Sequence, residues 1–482
     1  MAKLFKMIVG REAEIKQLRS ALSSNRAEMV AVIGRRRVGK TFLIDEVYGN
    51  HIVFQQTGVR HAPVRRQLRT FANNLALLNG GPVLELKDWL DAFFQLRQVL
   101  EQRLSTDRKI VIFFDELSWL ATPAGEFLDY LAHFWNDWAH RQNLVLVLCG
   151  SVSSWIIKRV INDKGGLHNR VTRYLHLKPF TLAETAEFLE GRHFHLPPRQ
   201  VIELYLCIGG IPLYLEDLQP GMGLHENLDR LCFQPTGLLR EEFNRLYSAL
   251  FNDARLHTEV IRTLAASPRG LTRTQLITGA GLPNGGKATQ VLEELEQSDF
   301  IQAQLPYKAK KNGKVYRLVD EYSLFYLRFI EGNKLTGRGT WLQLSQRQTF
   351  RTWAGYAFES VCLKHVQELK AALGIAGVHT TAAAFHHRGG SPGEGFQIDL
   401  LLERADGVIN LCEMKFYRKP YTLTKTQAEV LDNRREKFLH LTGTRHHVIS
   451  TLILPAPHQP GQWDGWAGIR TVDATRFLRP DV

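Results

Sequence analysis

Fully apolar runs alternate with amphipathic segments through the first 180 residues of the chain. Runs without polar positions are typical of strands buried on both faces of a parallel sheet, and a 3.6-residue period is typical of surface helices. The clearest runs cover residues 29–33, 110–114 and 144–149. The alternation predicts a doubly wound α/β domain over residues 1–180, of the kind that binds nucleotides.

The pattern becomes helical after this domain. Residues 181–250 contain apolar positions at helical spacing and are expected to form a helical lid. Residues 251–335 then show three helical segments and two short apolar strands, which are joined by a basic loop containing Asn312-Gly313. Asn-Gly is a strong hairpin signal, and helices followed by such a hairpin predict a winged helix.

The winged helix is not by itself evidence of DNA binding. The third helical segment is the second helix of the helix–turn–helix; only its start, with Lys287, Thr289 and Gln290, and the wing suit contact with DNA. The second half of that helix carries Glu293, Glu294 and Glu296, which would repel phosphates. DNA binding and protein docking therefore both stay open for this unit.

A glycine-rich segment, Gly34 to Thr41, follows the first apolar run and leads into a helical segment. In such a loop the glycines let the backbone wrap around phosphates, while the helix N-terminus points at them. Lys40 would reach the β- and γ-phosphates, and the Thr41 hydroxyl would ligate Mg²⁺. The segment predicts a nucleoside triphosphate site that includes Gly34, Gly39, Lys40 and Thr41.

Two further apolar runs end in polar residues that suit the same site. Asp115 and Glu116 follow residues 110–114, at the strand end where ligands bind in open α/β sheets. Asp115 would hold Mg²⁺ and Glu116 would polarise the attacking water. Ser151 follows residues 144–149 and could contact the γ-phosphate as a sensor, although a plain helix N-cap would show the same pattern.

The last segment, residues 340–482, contains a second group of chemically suggestive residues. Asp399 and Glu413 lie in two apolar strands around the turn at residues 405–407, and Lys415 shares a strand face with Glu413. Two carboxylates and a lysine suit phosphodiester hydrolysis in which Asp399 and Glu413 bind Mg²⁺. Glu359, in a helical segment, could supply a further carboxylate. An amphipathic hairpin whose charges face water is the alternative.

The register of this hairpin decides whether the carboxylates meet. A three-residue loop at 405–407, with Gly407 left-handed, would place Asp399 opposite Glu413 on one face. A two-residue loop would send them to opposite faces. We therefore predict an odd loop or a bulge. His386-His387 nearby is expected to be a loop pair rather than a metal site.

Charge and cysteine content limit the partners and the compartment. The formal net charge of +13 favours an anionic partner, with nucleic acid first, although a generally basic surface would give the same value. The five cysteines are scattered and predict neither a zinc site nor a disulfide framework. Met1 to Lys6 lack the apolar core of a signal peptide, and no stretch approaches ~20 apolar residues. We expect a cytoplasmic protein without membrane contact.

Taken together, these residues give the chain a resemblance to the archaeal-type P-loop ATPases of the STAND/AAA+ group, which are often joined to a winged helix and a C-terminal PD-(D/E)xK-like domain. The segments that carry the resemblance are Val9-Gly10-Arg11-Glu12, Gly34 to Thr41, Phe114 to Leu120, Gly150-Ser151, Asn169-Arg170, Gly209-Gly210-Ile211-Pro212 and Tyr316 to Asp320.

The resemblance implies several roles that the pattern alone does not. Val9, Gly10 and Arg11 would line an adenine pocket, which favours ATP, and Arg170 would act as an arginine finger or γ-phosphate sensor. Residues 340–482 would form a restriction-endonuclease-like α/β domain, with Glu359, Asp399, Glu413 and Lys415 in the family's order. Ile398 stands where many such domains have proline.

These observations predict an ATP-hydrolysing protein that acts on DNA and whose nucleotide state gates a Mg²⁺-dependent nuclease. The alternative is a nucleotide-switched regulator in which the C-terminal domain binds nucleic acid or protein without cutting. A chaperone-like ATPase whose winged helix docks protein is a third candidate. The sequence leaves self-association open.

Overall fold

A computed structural model describes residues 8–122, 126–162, 164–251, 253–309, 313–387 and 395–479. The chain divides into two compact units, Met1–Lys178 and Pro179–Val482. The N-terminal segment Met1 to Lys6, and Lys310 to Asn312 of the predicted basic loop, lie outside the described residues.

The first unit alternates strands with helices, as the apolar pattern predicts. Its strands are β1 (Glu28–Ile33), β2 (Ile52–Thr57), β3 (Ile110–Asp115), β4 (Leu144–Gly150) and β5 (Arg173–His176). Its helices are α1 (Glu12–Ser23), α2 (Lys40–Tyr48), α3 (Val64–Asn79), α4 (Trp89–Glu101), α5 (Leu117–Leu120), α6 (Phe127–Asp137) and α7 (Ser153–Ile156).

The five strands of this unit form one parallel sheet in the order β2-β3-β4-β1-β5. Every residue of β1, β3 and β4 is buried, which explains why these strands contain almost no polar positions. Because the three central strands are parallel, their carboxyl ends share one edge of the sheet. Residues that follow β1, β3 and β4 are thereby brought together.

The second unit contains thirteen helices and two sheets among its described residues. The helices are α8 (Leu182–Gly191), α9 (Pro198–Ile208), α10 (Pro212–Glu216), α11 (Leu224–Leu228), α12 (Glu242–Leu250), α13 (Ala254–Ala265), α14 (Arg273–Gly279), α15 (Gly286–Gln297), α16 (Glu321–Phe325), α17 (Thr340–Ser345), α18 (Gln348–Lys364), α19 (Val366–Ala372) and α20 (Lys425–Thr442).

This unit also contains a small antiparallel sheet beside three helices, in the chain order that the sequence predicts for a winged helix. It consists of β6 (Leu271–Thr272), β7 (Ile301–Gln304) and β8 (Val315–Leu318), in the order β6-β8-β7, beside α13, α14 and α15. Thr272 caps α14 in a capping box with Gln275, as its position before the helix predicts.

The larger sheet of the second unit is mixed. Its strands are β9 (Thr380–His387), β10 (Phe396–Arg404), β11 (Val408–Met414), β12 (His447–Leu454) and β13 (Arg470–Asp473), in the order β13-β12-β11-β10-β9. β9, β10 and β11 are antiparallel, whereas β11, β12 and β13 run parallel.

The register of β10 and β11 confirms the predicted odd turn. Leu400 pairs with Cys412 and Glu403 with Ile409, so a three-residue loop closes the hairpin at residues 405–407. Gly407 has φ +80°, the left-handed conformation that this turn needs. Continued by one residue, the same register sets Asp399 opposite Glu413. β10 also carries a β-bulge against β9 between Ile398 and Leu401, which is at Asp399.

No helix in the described part of the chain is long and apolar enough to cross a membrane.

Candidate functional site

The glycine-rich loop after β1 depends on its glycines for steric reasons. Gly34 has φ +148°, and a Cβ added there would lie 2.3 Å from the carbonyl oxygen of Leu177. Gly39 has φ +89° and precedes α2, but space is open around it. The first glycine therefore permits a close backbone approach, and the second permits the left-handed turn that starts the helix.

Lys40, the first residue of α2, is buried inside the loop. Its Nζ donates to the carbonyl oxygens of Gly34 and Arg35 at 2.8 and 3.0 Å and lies 3.1 Å from the Ser151 hydroxyl. These neutral oxygens satisfy the ammonium group but do not neutralise its charge. An ammonium group placed this way can accept phosphate oxygens as new partners.

Thr41 and Asp115 meet at the carboxyl edge of the sheet. The Thr41 hydroxyl donates to Asp115 Oδ2 at 2.8 Å, and the Glu116 amide donates to Asp115 Oδ1 at 2.8 Å. A hydroxyl oxygen and a carboxylate side by side are the oxygen donors that Mg²⁺ prefers, so this pair fits the ion that the sequence predicts. Thr41 and Asp115 would hold the ion, and oxygens of the phosphates and of water would supply its other ligands.

Ser151 connects the loop lysine to Glu116. Its hydroxyl donates to Glu116 Oε1 at 2.7 Å and its amide donates to Oε2 at 3.3 Å. Glu116 itself has φ +47°, a left-handed conformation that is uncommon for this residue type. The N-cap position of α7 is held by Val152, so Ser151 does not cap that helix. The N-cap alternative for Ser151 is therefore wrong.

Val9, Gly10 and Arg11 form the turn that enters α1. Val9 is buried, and Gly10 and Arg11 have φ +61° and +66°. The Arg11 guanidinium donates to the Lys178 carbonyl at 2.6 Å, which ties the start of the unit to its end. An adenine contact from this turn stays a prediction.

The structure does not bring Arg170 to the glycine-rich loop of its own chain. Arg170 is exposed and precedes β5, and the Thr172 amide bonds to the carbonyl of Met29 near the start of β1. Because β5 is parallel to β1, Arg170 lies at the amino edge of the sheet, whereas the loop begins after Ile33. Strand geometry separates the two edges by roughly 13–16 Å. A finger or sensor role for Arg170 stays a prediction.

In the second unit, the four candidate residues line one cleft of about 470 Å³. Glu359 comes from α18, Asp399 from β10, Glu413 from β11, and Lys415 follows β11. The spacing left an alternative in which these charges face water on an ordinary hairpin. The common cleft and the burial of Glu413 argue against that alternative.

Asp399 is held by residues from two sheets. Gln397, on the same strand face, donates to Asp399 Oδ1 at 2.8 Å, and Arg317 of β8 lies 3.8 Å from the same oxygen. Burial raises the pKa of Asp399 and the negative charge of Glu413 adds to this, while Arg317 opposes both.

Glu413 has a cation on each carboxylate oxygen. Lys415 Nζ lies 2.6 Å from Oε1, and the Arg434 guanidinium from α20 contacts Oε2. Burial alone would lower the pKa of Lys415, but the adjacent Glu413 carboxylate outweighs it and the net shift is upward. Lys415 is therefore a firmly protonated ammonium in this arrangement.

Glu359 shares the negative field of the cleft. Burial raises its pKa to about 8, with Asp399 and Glu413 as further causes and Arg317 and Lys415 opposing them. The carboxyl group of Glu359 is thus largely protonated at neutral pH unless a cation enters the cleft. Among the described residues, no three or more His, Cys, Asp or Glu side chains lie in an arrangement that could hold a metal ion.

Sequence reasoning missed several residues of the cleft. Arg317, Arg434 and Arg269 reach it from separate elements, and nothing in their local sequence signals this. Gln397 could have been found, because it lies two residues before Asp399 on the same face. The expectation that His386-His387 form a loop pair is wrong, because both residues belong to β9 and line the cleft.

The fold and the phosphate-binding loop define the first unit as a P-loop ATPase domain. Residues 8–218 match the model of a family described as an ATPase domain found predominantly in Archaea. The N-terminal region is therefore an ATPase domain of this archaeal type.

Individual relatives are distant. The uncharacterized protein MJECL04 of Methanocaldococcus jannaschii is 25% identical over 370 residues, which cover 75% of this chain and 78% of that protein. The solved Walker-type ATPase PABY2304 of Pyrococcus abyssi is similar with a TM-score of 0.49 and 18% identity, over 67% of this chain and 96% of that one. The ORC2 protein of Aeropyrum pernix gives a TM-score of 0.39 and 16% identity, over 67% and 95%.

Proposed function

We propose that this ATPase acts on DNA and that its nucleotide state gates a Mg²⁺-dependent nuclease centre in the second unit. The observation that carries the proposal is the cleft lined by Glu359, Asp399, Glu413 and Lys415. These residues come from separate elements, and the odd turn at 405–407 is what allows the two strand carboxylates to share a face.

In the ATPase domain, Lys40 and the loop amides would bind the phosphates, and Thr41 and Asp115 would hold Mg²⁺. The ion would neutralise charge on the phosphates. Glu116 would orient and polarise the attacking water. The Ser151 hydroxyl donates a hydrogen bond to Glu116 and accepts one from Lys40. A γ-phosphate that binds Lys40 and Ser151 would break the hydrogen bond to Glu116 and free this carboxylate for the water.

In the cleft, Asp399 and Glu413 would hold Mg²⁺, which would supply a polarised water and a partner for phosphate oxygens. Glu359 would add a third carboxylate. Lys415 would steady the attacking hydroxide or the negative charge that develops on the phosphate. The residues fit such an ion in chemistry, because they provide carboxylate oxygens in a cavity that also contains cationic side chains for a polyanion.

The cleft is a better candidate for the DNA contact than helix α15. Glu294 of α15 accepts a hydrogen bond from Gln290 and lies 2.7 Å from His257 Nε2. Gln290, which could contact DNA, is therefore paired with an acidic side chain of its own helix. Tyr307, the third residue after β7, donates its amide hydrogen to the Ala384 carbonyl of β9 and its hydroxyl hydrogen to Glu403. The start of the predicted wing is therefore packed against the larger sheet.

A non-cleaving regulator remains the second candidate. It is favoured by the two cations on Glu413, because a permanent ion pair there would make this carboxylate unavailable to Mg²⁺. Cleavage assays separate the two candidates directly.

The test is cleavage of supercoiled, linear and single-stranded DNA by the full chain in Mg²⁺ or Mn²⁺. Lys415→Ala and Glu413→Gln are expected to lower the rate by at least about a hundredfold, which is typical for loss of an electrostatic catalytic group. Lys419→Ala removes an exposed lysine four residues along and serves as the matched control. Cleavage that survives Lys415→Ala and Glu413→Gln, or none by the wild type on any substrate, would refute the nuclease proposal.

A further inference from the structure

Arg434 holds a position in the cleft that a divalent cation would need. Its guanidinium contacts Oε2 of Glu413, and the other oxygen of that carboxylate is held by Lys415. Arg434 also lowers the pKa of Asp399 through its charge, so its influence extends to both strand carboxylates. A cation shared by Glu413 and Asp399 is what the proposed metal site requires.

The two cations on Glu413 reach it from different elements. Lys415 lies two residues from Glu413, and its backbone amide is fixed by a hydrogen bond to Ile453 of β12. Arg434 instead reaches Glu413 from α20 on a long flexible stem, and its side chain is partly exposed, at 33% against 45% for Lys415. Rotation of that stem would free Oε2 without changing either strand.

A released guanidinium would have a new partner in the same cleft. Arginine presents planar N–H donors that match two phosphate oxygens at once, which a lysine cannot do. The cleft that Arg434 lines is open, and it also contains Arg269. A phosphodiester entering it would meet a guanidinium at the place where the metal arrives.

We propose that Arg434 is a resident cation of the site, which occupies Glu413 until a divalent cation displaces it and then binds a phosphate of the nucleic acid. This inference rests on the proposed function, because it takes Glu413 as a metal ligand.

The first test is Mn²⁺ binding to the full chain without nucleotide, followed by electron paramagnetic resonance. Glu413→Gln serves as the blank for binding at the cleft. Loss of a competing, partly exposed ion pair is expected to tighten Mn²⁺ binding in Arg434→Ala about twofold to fivefold. Arg434→Lys should show a smaller gain. Arg435→Ala, which removes an arginine paired with Asp432 and Glu436, is the matched control and should equal the wild type.

The outcomes of this test are distinguishable. If Arg434 merely positions Glu413, Arg434→Ala will bind Mn²⁺ equally or more weakly, and the inference falls while the proposed function stands. If Glu413→Gln binds Mn²⁺ as the wild type does, or the wild type binds none, Glu413 is not a metal ligand and both proposals fail.

The second test is binding of a duplex DNA 20-mer in Ca²⁺, measured by fluorescence anisotropy over a range of salt concentrations. Arg434→Ala should bind more weakly, and the slope of log K against log[salt] should fall by about 0.9, the value for one phosphate contact. Arg435→Ala should keep the wild-type slope. An unchanged slope in Arg434→Ala would overturn the phosphate-binding part of the inference.

Discussion

His365 is a buried histidine whose neutral form is built into the second unit. The amide of Leu182 donates to its Nε2 at 2.9 Å, which leaves Nδ1 protonated and donating to the Val361 carbonyl at 2.8 Å. Burial lowers the pKa of His365 to about 4, with the charge of Lys364 acting in the same direction. A second proton on Nε2 would face the Leu182 amide donor and lose that hydrogen bond.

The stability that depends on His365 follows from this shift. An unfolded chain protonates the residue near pH 6.5, whereas the folded chain does so near pH 4. The unfolded state therefore binds more protons over this window, and stability is complete above pH 6.5 and is lost as the pH falls toward 4. Between pH 7 and 4.5, linkage gives a loss of about 2 kcal/mol from this single group.

The assay is hydrogen–deuterium exchange of peptides that cover residues 361–372, corrected for the intrinsic pH dependence of exchange. A loss of about 2 kcal/mol corresponds to a roughly thirtyfold fall in protection. His365→Gln keeps a neutral acceptor and donor at this position and should show no such fall. An equal response to pH in the wild type and His365→Gln would refute the assignment of the shift to His365.

Two further changes test the packing around each site. Gly34→Ala places a Cβ 2.3 Å from the Leu177 carbonyl oxygen and should abolish binding of a fluorescent ATP analogue. Gly39→Ala has open space for its Cβ, so its only cost should be about 1–2 kcal/mol of backbone strain from the positive φ. Lys364→Met leaves the buried Glu321 carboxylate without its partner and should destabilise the second unit by about 3–5 kcal/mol. Thermal denaturation measures this loss, and the double variant Lys364→Met with Glu321→Gln should recover part of it.

The first unit and the hairpin register could be predicted because their determinants are local. Strands buried on both faces contain almost only apolar residues, so β1, β3 and β4 stand out in the sequence. The conformation of Gly407 similarly sets the pairing of β10 and β11 within a few residues.

The rest of the cleft depends on contacts between distant segments. Arg317 is 82 residues from Asp399, and Arg434 is 21 residues from Glu413 in a helix with several similar basic residues. The packing of α20 on its sheet decides which arginine faces the cleft. This packing leaves no pattern in the local sequence. The β9 strand was likewise missed at His386-His387, because these residues are held in it by pairing with Phe396 and Gln397 of β10.

The central claim, that nucleotide state gates cleavage, is tested most directly by DNA cleavage rates with and without ATP in the wild type and Lys40→Ala. Lys16→Ala, an exposed lysine of α1, is the matched control. If the two sites are coupled by about 1–3 kcal/mol, ATP should change the wild-type cleavage rate about fivefold to a hundredfold. Lys40→Ala should keep its basal cleavage rate and show no response to ATP. Equal rates with and without ATP in the wild type would contradict gating and leave two independent sites on one chain.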